Sequence, residues 1–355
     1  MKSTDNVKNL IRSDLHNFSP YISARMESQS GGVLLNANES PWPVTVEMAV
    51  SGLNRYPEQQ PHQLKTLLAN LYQVGLDQLL IMRGSDEAID LLIRLFCSPL
   101  QDEILIFPPT YKMYETFAKL QGVKVRKIPL IGEGFQLDMN TIKMQISDRT
   151  KLIFLPSPNN PTGNLLSKSD IFELCQLTKN QSLVIIDEAY IEFSSSNGLA
   201  QYINRYDNFL ILRTLSKAFG LAGLRIGTLL AQASIINWVK KILAPYPLPV
   251  PSVEMALVKL SPQGVDEMLT QVKWVKEQRQ QMASALKQFK FIQRIWSSEA
   301  NFILFLSDPK LESHCLSNGY LIRGLSKVFN IPGMFRLSIG TIRENKKFIE
   351  ILKSF

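Results

Sequence analysis

Between residues 79 and 230 the chain alternates short, unbroken apolar runs with stretches of helical periodicity, and no other feature limits its possible folds as much. Residues 79–82, 103–107, 123–129, 151–156, 182–187, 209–213 and 226–230 read as strands. Several are apolar at successive positions, so both faces of the sheet they form must be covered. The intervening stretches supply that cover: Ala88, Leu91, Leu92 and Leu95 recur at helical spacing after Gly84-Ser85. Each crossover helix returns the chain to the edge where the next strand starts, which favours parallel neighbours. The expected architecture is α/β, a mainly parallel sheet with helices on both faces.

The pattern changes after Pro245, Pro247, Pro249 and Pro251. Four prolines remove four amide donors, and the run is read as an extended passage out of a first domain. A long helix over 265–289 and strands over 301–306, 320–323 and 335–339 then describe a smaller α+β unit. The expected division is a large domain over 36–264 and a small one from 265–355 with the N-terminal arm, 1–35. A chain of 355 residues suits two domains.

Composition removes whole classes of function. The chain is 45% hydrophobic and 20% charged, as in globular proteins, and has no apolar run of about 18 residues, so no membrane span is expected. Its first residues are polar and carry both charge signs, unlike a signal peptide. Cys97, Cys175 and Cys315 are odd in number and sit in apolar helical contexts, which fits a reducing, cytoplasmic location. The net charge of +8 is scattered. Its one concentration, Lys273, Lys276, Arg279, Lys287, Lys290 and Arg294, reads as the exposed face of a long helix. Without a helix-turn-helix, an RNA-binding signature or zinc spacing, no nucleic-acid partner is expected. His16, His62 and His314 are dispersed, so no metal site is expected. Serine-hydrolase and P-loop motifs are absent from the sequence.

The chemistry is expected where ligands collect in open α/β sheets, at the carboxyl ends of the strands. Four strands end in polar loops containing Gly84-Ser85-Asp86, Asn160-Pro161-Thr162-Gly163, Asp187-Glu188-Ala189-Tyr190 and Ser216-Lys217-Ala218-Phe219-Gly220. Asp187 directly follows an apolar strand and needs a cationic or strongly donating partner, within the protein or on a ligand. Lys217 is either a surface lysine or an amine used as a nucleophile. Ser216, Arg225 and the amides at the helix start near Ser85 and Asp86 would suit a phosphate. An anion site, an amine and a buried carboxylate together match pyridoxal 5′-phosphate, with its phosphate, aldehyde and ring nitrogen.

The run from Thr214 through Ser216, Lys217, Gly220, Gly223 and Arg225 to Gly227 resembles the cofactor-lysine signature of the fold-type I aminotransferases, which depend on pyridoxal phosphate. More narrowly, Leu35-Asn36-Ala37-Asn38-Glu39, Arg55-Tyr56-Pro57, Pro108-Pro109-Thr110-Tyr111 and the run from Phe335 to Thr341 are similar to the histidinol-phosphate aminotransferase family. The chain departs from many of its relatives in carrying Met82-Arg83-Gly84 where they have Gly-Asn-Gly. The resemblance implies that Lys217 bonds the cofactor aldehyde and then shuttles a proton to and from the substrate α-carbon. It implies that Asp187 pairs with the ring nitrogen, that Asn160 and Tyr190 bond the ring's phenolate oxygen, and that Tyr111 stacks on the ring. Gly84, Ser85, Asp86, Ser216 and Arg225 would hold the phosphate, with Tyr56 reaching in from the other subunit of a homodimer. Tyr21, Asn38, Arg323 and Arg336 would bind substrate, Arg336 meeting a carboxylate and Arg323 a phosphate.

The activity so implied is reversible transfer of an amino group between L-histidinol phosphate and 2-oxoglutarate, a step of histidine biosynthesis. A threonine-phosphate decarboxylase and an aromatic amino acid aminotransferase share the fold and stand as alternatives. A regulator on the same scaffold would carry a separate DNA-binding domain, for which the stretch before Asn36 is short.

Overall fold

A computed structural model describes residues 32–42 and 53–355. Strand β1 (Val33–Leu34) and helix α1 (His62–Tyr72) come first. They are followed by β2 (Leu79–Met82), α2 (Ser85–Phe96), β3 (Glu103–Ile106), α3 (Met113–Leu120), β4 (Lys124–Lys127) and α4 (Met139–Gln145). Next come β5 (Thr150–Pro156), α5 (Lys168–Leu177), β6 (Leu183–Asp187), β7 (Phe209–Thr214) and β8 (Gly227–Leu230). Helices α6 (Ala233–Ile242), α7 (Val250–Lys259) and α8 (Pro262–Leu286) lead into the last part. That part holds β9 (Ile292–Ile295), β10 (Phe302–Ser307), α9 (Leu311–Ser317), β11 (Tyr320–Leu321), β12 (Arg323–Gly324), α10 (Ser326–Phe329), β13 (Met334–Ser338) and α11 (Ile342–Lys353).

The expected mainly parallel sheet is present, seven strands in the order β2-β8-β7-β6-β5-β3-β4. Strands β4, β3, β5, β6 and β7 run parallel, while β8 is antiparallel to both its neighbours, β7 and β2. Successive residues of a strand point to opposite faces, and here each face has its own core. Ile153, Leu155, Val184, Ile186 and Ile211 enter one apolar cluster, and Leu152, Phe154, Ile185, Leu210 and Leu212 the other. Fully burying one such side chain contributes about 1.5–3 kcal/mol, which explains why these strands carry no polar alternation. The edge strand β4 is the exception: Lys124 and Lys127 are exposed and keep that edge from pairing further.

The second sheet, β12-β13-β10-β9, is antiparallel throughout, and β1 pairs in parallel with β11. The Ser338 amide donates to the Leu35 carbonyl, so the described stretch around Leu35 packs on this C-terminal part. Helix α8 starts where Ser261 accepts from the Gly264 amide, with Pro262 in the first turn. Two readings are corrected. The proline run does not stay extended, because α7 begins at Val250 with Pro251 in its first turn, where no amide is needed. Arg279 is not on an exposed face: it is buried and donates to the carbonyls of Ala300 at 2.7 Å and Phe193 at 3.3 Å. Helices α1, α4 and α6 and strands β1 and β9 were not anticipated.

Cys97, Cys175 and Cys315 are buried and unpaired, and burial pushes each thiol up to about 12. Among the described residues no helix is long and apolar enough to cross a membrane, and no side-chain cluster could hold a metal ion.

Candidate active site

A cavity of about 350 Å³ lies at the carboxyl ends of β5, β6 and β7, walled on its other side by residues of β12, β13 and α10. It is lined by Asn38, Ser85, Asp86, Tyr111, Asn160, Asp187, Tyr190, Ser216, Lys217, Arg225, Arg323 and Arg336, residues drawn from widely separated stretches. Of the remaining predicted site residues, Gly84 stands at the rim, at the start of α2, and Tyr21 lies outside the described residues. Tyr56 is 80% exposed and stacks on Tyr246 with ring centroids 4.4 Å apart, so within its own chain it does not reach the cavity.

Asp187 sits where β6 ends, buried. Its Oδ2 accepts from the Tyr114 hydroxyl at 2.7 Å and its Oδ1 from the Ala189 amide at 3.1 Å. Both donors are neutral, and among the described residues no arginine or lysine offsets the charge. Burial therefore pushes its carboxyl up to about 6, with Asp86 and Glu188 adding repulsion and the two donors opposing it. The folded chain thus holds this proton more tightly than the unfolded chain does. In protein freed of ligand, Asp187 lowers stability as pH rises from about 4 to about 6, by about 3 kcal/mol. Asp187→Asn is expected to remove that slope. Urea unfolding of both proteins at pH 4 and pH 7 checks it, and a pH-independent difference between them would contradict the burial argument.

The opposite feature, a cluster of donors, lies at the start of α2. No side chain caps this helix, and its first amides have no partners within the helix. Gly84 adopts φ 78°, and a Cβ there would stand 2.7 Å from the Arg225 guanidinium. A Cβ at Gly227 would stand 2.4 Å from the Ser85 nitrogen, so β8 can press against this turn only as glycine. Arg225, itself in the left-handed region, donates from Nη1 towards Ser216 Oγ at 3.5 Å, and its Nη2 lies 3.6 Å from Asp86. The Asp86 carboxylate is thereby engaged, leaving its amide as the group to meet an anion. The departure at Arg83 leaves this turn intact, because Arg83 pairs outward with Glu87.

Between these ends stands Lys217, whose Nζ donates to the Ala37 carbonyl at 3.1 Å and lies 5.8 Å from the centre of the Tyr190 ring. The Tyr190 hydroxyl accepts from Asn38 Nδ2 at 3.0 Å and from Asn160 Nδ2 at 3.3 Å. Arg336, buried on β13, donates to Asn160 Oδ1 and to the Asn36 carbonyl, and stands over the Phe302 ring. Arg323 on β12 is its register partner across the ladder, so two arginines face the same cavity side by side.

Sequence reasoning missed Tyr114, Asn36 and the backbone carbonyl of Ala37. It also missed the support beneath the Asp187 loop. There Arg213 of β7 is buried, donates to Glu188 at 2.7 Å and to Glu192 at 3.4 Å, and lies against the Tyr72 ring at 5.3 Å. Tyr114 and Arg213 had no local signal, since each acquires its partner only when neighbouring strands align.

The residues present fit pyridoxal phosphate. A buried carboxylate with no cation beside it among the described residues suits a protonated ring nitrogen, uncapped helix amides with Arg225 suit a phosphate, and Lys217 brings an amine into the same cavity.

Residues 32–352 match the class I and II aminotransferase family. The histidinol-phosphate aminotransferase of Francisella philomiragia is 41% identical over 98% of this chain and 95% of its own. The crystal structure of the histidinol-phosphate aminotransferase from Clostridium acetobutylicum superposes with a TM-score of 0.77 at 27% identity, covering 85% of this chain and 90% of that one. The Sinorhizobium meliloti histidinol-phosphate aminotransferase, solved in complex with pyridoxal-5′-phosphate, shares the fold, with a TM-score of 0.81 at 19% identity over 97% of this chain and 98% of that one.

Proposed function

Since the chain belongs to the class I and II aminotransferase family, we propose that it moves an amino group reversibly between L-histidinol phosphate and 2-oxoglutarate, using pyridoxal 5′-phosphate. The observation that carries this reading is one cavity holding Lys217, a buried Asp187 with no cation beside it among the described residues, and the α2 amino end beside Arg225. The bound cofactor supplies an aldehyde to take the amino group and a ring to accept electrons from the substrate α-carbon.

The chain's own groups do the rest. Lys217 Nζ would be the amine that holds the cofactor and the base that takes the proton from the substrate α-carbon. Asp187 keeps a proton on the ring nitrogen by pairing with it. Tyr190, held by Asn38 and Asn160, presents a hydroxyl for the ring's phenolate oxygen. Tyr111 covers the ring, and its own hydroxyl is fixed by Asp86 at 3.0 Å. Ser85, Asp86, Ser216 and Arg225 hold the phosphate, with Gly84 leaving room for the approach. Arg336 has a planar fork suited to the carboxylate of glutamate, and Arg323, with Tyr21, serves the phosphate of histidinol phosphate.

The same reading makes residues 36–264 the cofactor-binding domain and 1–35 with 265–355 the small one. The seven-stranded and four-stranded sheets fall on either side of that division. It also makes the enzyme a homodimer, which supplies Tyr56 to the neighbour's site, and places it in the cytoplasm, where three unpaired thiols stay reduced.

The test is an absorbance scan of the cofactor-loaded enzyme. Glutamate alone and histidinol phosphate alone should each convert the aldehyde form to the amine form. No conversion by histidinol phosphate, or release of carbon dioxide from phosphothreonine, would overturn the proposed substrate. Arg336→Ala should slow the glutamate half-reaction more than the histidinol phosphate one, by about 2–5 kcal/mol for a lost bidentate pair. Equal losses would show that Arg336 serves both substrates.

A further inference from the structure

We propose that Tyr114 is a positioning residue for catalysis: its phenol holds Asp187 in the ionised state and so keeps the proton on the cofactor's ring nitrogen. The inference rests on the reading of this cavity as a pyridoxal phosphate site.

Tyr114 occupies the second position of α3 and is wholly buried. Its ring stacks on Phe154 of β5, 4.8 Å between centroids and 12° between planes. Its other neighbour is Tyr111, edge-on at 5.6 Å. The two contacts fix the ring on either side, so the hydroxyl cannot swing away, and it donates to Asp187 Oδ2 at 2.7 Å. Among the described residues the only other donor to this carboxylate is the Ala189 amide, on the other oxygen.

In a dry site a carboxylate and a protonated ring nitrogen have two arrangements of the shared proton. The charged pair has the proton on nitrogen, and the neutral pair has it on the carboxyl. Burial favours the neutral pair, because both charges leave water. The charges around Asp187 push the same way: Asp86 of α2 and Glu188 of its own loop both raise its proton affinity. Glu188 is largely occupied by Arg213, and Tyr190 and Tyr111 add no positive charge. A hydrogen bond donated to the carboxylate lowers the energy of the charged pair alone. Among the described residues Tyr114 is the one side chain that supplies it. The phenol cannot itself lose its proton to Asp187, since burial and the adjacent carboxylate raise it well above its ordinary value.

The test uses the full-length enzyme loaded with cofactor carrying nitrogen-15 in the ring. Tyr114→Phe keeps both ring contacts and removes only the hydroxyl. The ring nitrogen signal should move towards the unprotonated value. Cofactor affinity should fall by about tenfold near pH 6, the loss of one hydrogen bond to a charged group, and by less at pH 8, where Asp187 is ionised regardless. Replacing Tyr114 by a fluorinated tyrosine, a stronger donor of the same shape, should move the nitrogen signal the opposite way. In an Asp187→Asn background, where nothing ionises, Tyr114→Phe should change neither readout. Unaltered nitrogen signals and pH profiles in the Phe and fluorotyrosine proteins would overturn the role of Tyr114. Failure of the wild-type protein to bind pyridoxal phosphate at all would instead overturn the reading of the site.

Discussion

Lys217→Ala is expected to abolish transamination, by about 10⁴-fold or more, while pyridoxal phosphate still binds through its phosphate and ring. Lys217 Nζ lies in the cavity against the Ala37 carbonyl and is the amine assigned to the α-carbon proton, and a positioned general base alone is worth about 10²–10⁴-fold. Single-turnover absorbance with glutamate measures it, and a variant cycling near the wild-type rate would end the assignment. The same variant addresses Tyr56, which is exposed in its own chain. If Tyr56 serves the neighbour's site, refolding a Lys217→Ala chain with a Tyr56→Ala chain gives mixed dimers with one intact site. Random pairing then restores about a quarter of wild-type activity, since about half the dimers are mixed. Activity no greater than the average of the two parents would remove the shared-site proposal and leave the chemistry standing.

Arg213→Ala is expected to have the largest effect on stability, a loss of about 3–5 kcal/mol, because it leaves buried carboxylates without their cation. Glu188 and Glu192 both accept from Arg213, and burial already raises both carboxyls above their ordinary values. A carboxyl whose folded value is raised favours the folded state at low pH and costs stability as pH rises through that value. The deficit of the variant should therefore shrink on acidification, as protonation discharges the two groups. Urea unfolding at neutral and acid pH measures this. A loss below about 1 kcal/mol at neutral pH would mean that water reaches the pair.

The family and the cofactor were legible in the sequence because the signature around Lys217 is local: the residues that act together there are neighbours in the chain. Asp187 was legible for a different reason, a charge that directly ends an unbroken apolar strand. The core of the large sheet was equally plain, since strands covered on both faces cannot hide in an alternating pattern. What could not be read depends on alignment between distant segments. Tyr114 looks like any core aromatic of α3 until β6 brings Asp187 beneath its hydroxyl. Arg213 reads as the polar end of a strand until the loop after β6 folds over it. Arg279 belongs by spacing to a basic surface, yet backbone carbonyls from two segments surround it. Pro251 shows a different failure, in which a residue that forbids helix interiors is at home in the first turn.

The substrate side of the cavity is tied together by residues that stand 300 positions apart in the sequence. The Asn38 amide donates to Ser338 Oγ at 2.9 Å, Ser338 donates back to Asn38 Oδ1 at 3.1 Å, and Arg336 holds the Asn36 carbonyl at 2.8 Å. Synthesis on the ribosome delivers Asn36 and Asn38 300 residues before these partners. The parallel sheet can assemble co-translationally, as domains generally do, and with it the carboxylate, the lysine and the phosphate cradle. Asn38, which orients Tyr190, already meets Asn301 through its carbonyl, but its amide and its Oδ1 wait for Ser338 of β13. A nascent chain halted before Arg336 would hold most of a cofactor cradle with no floor for the substrate, so the pocket becomes competent only when β13 docks on the older strands.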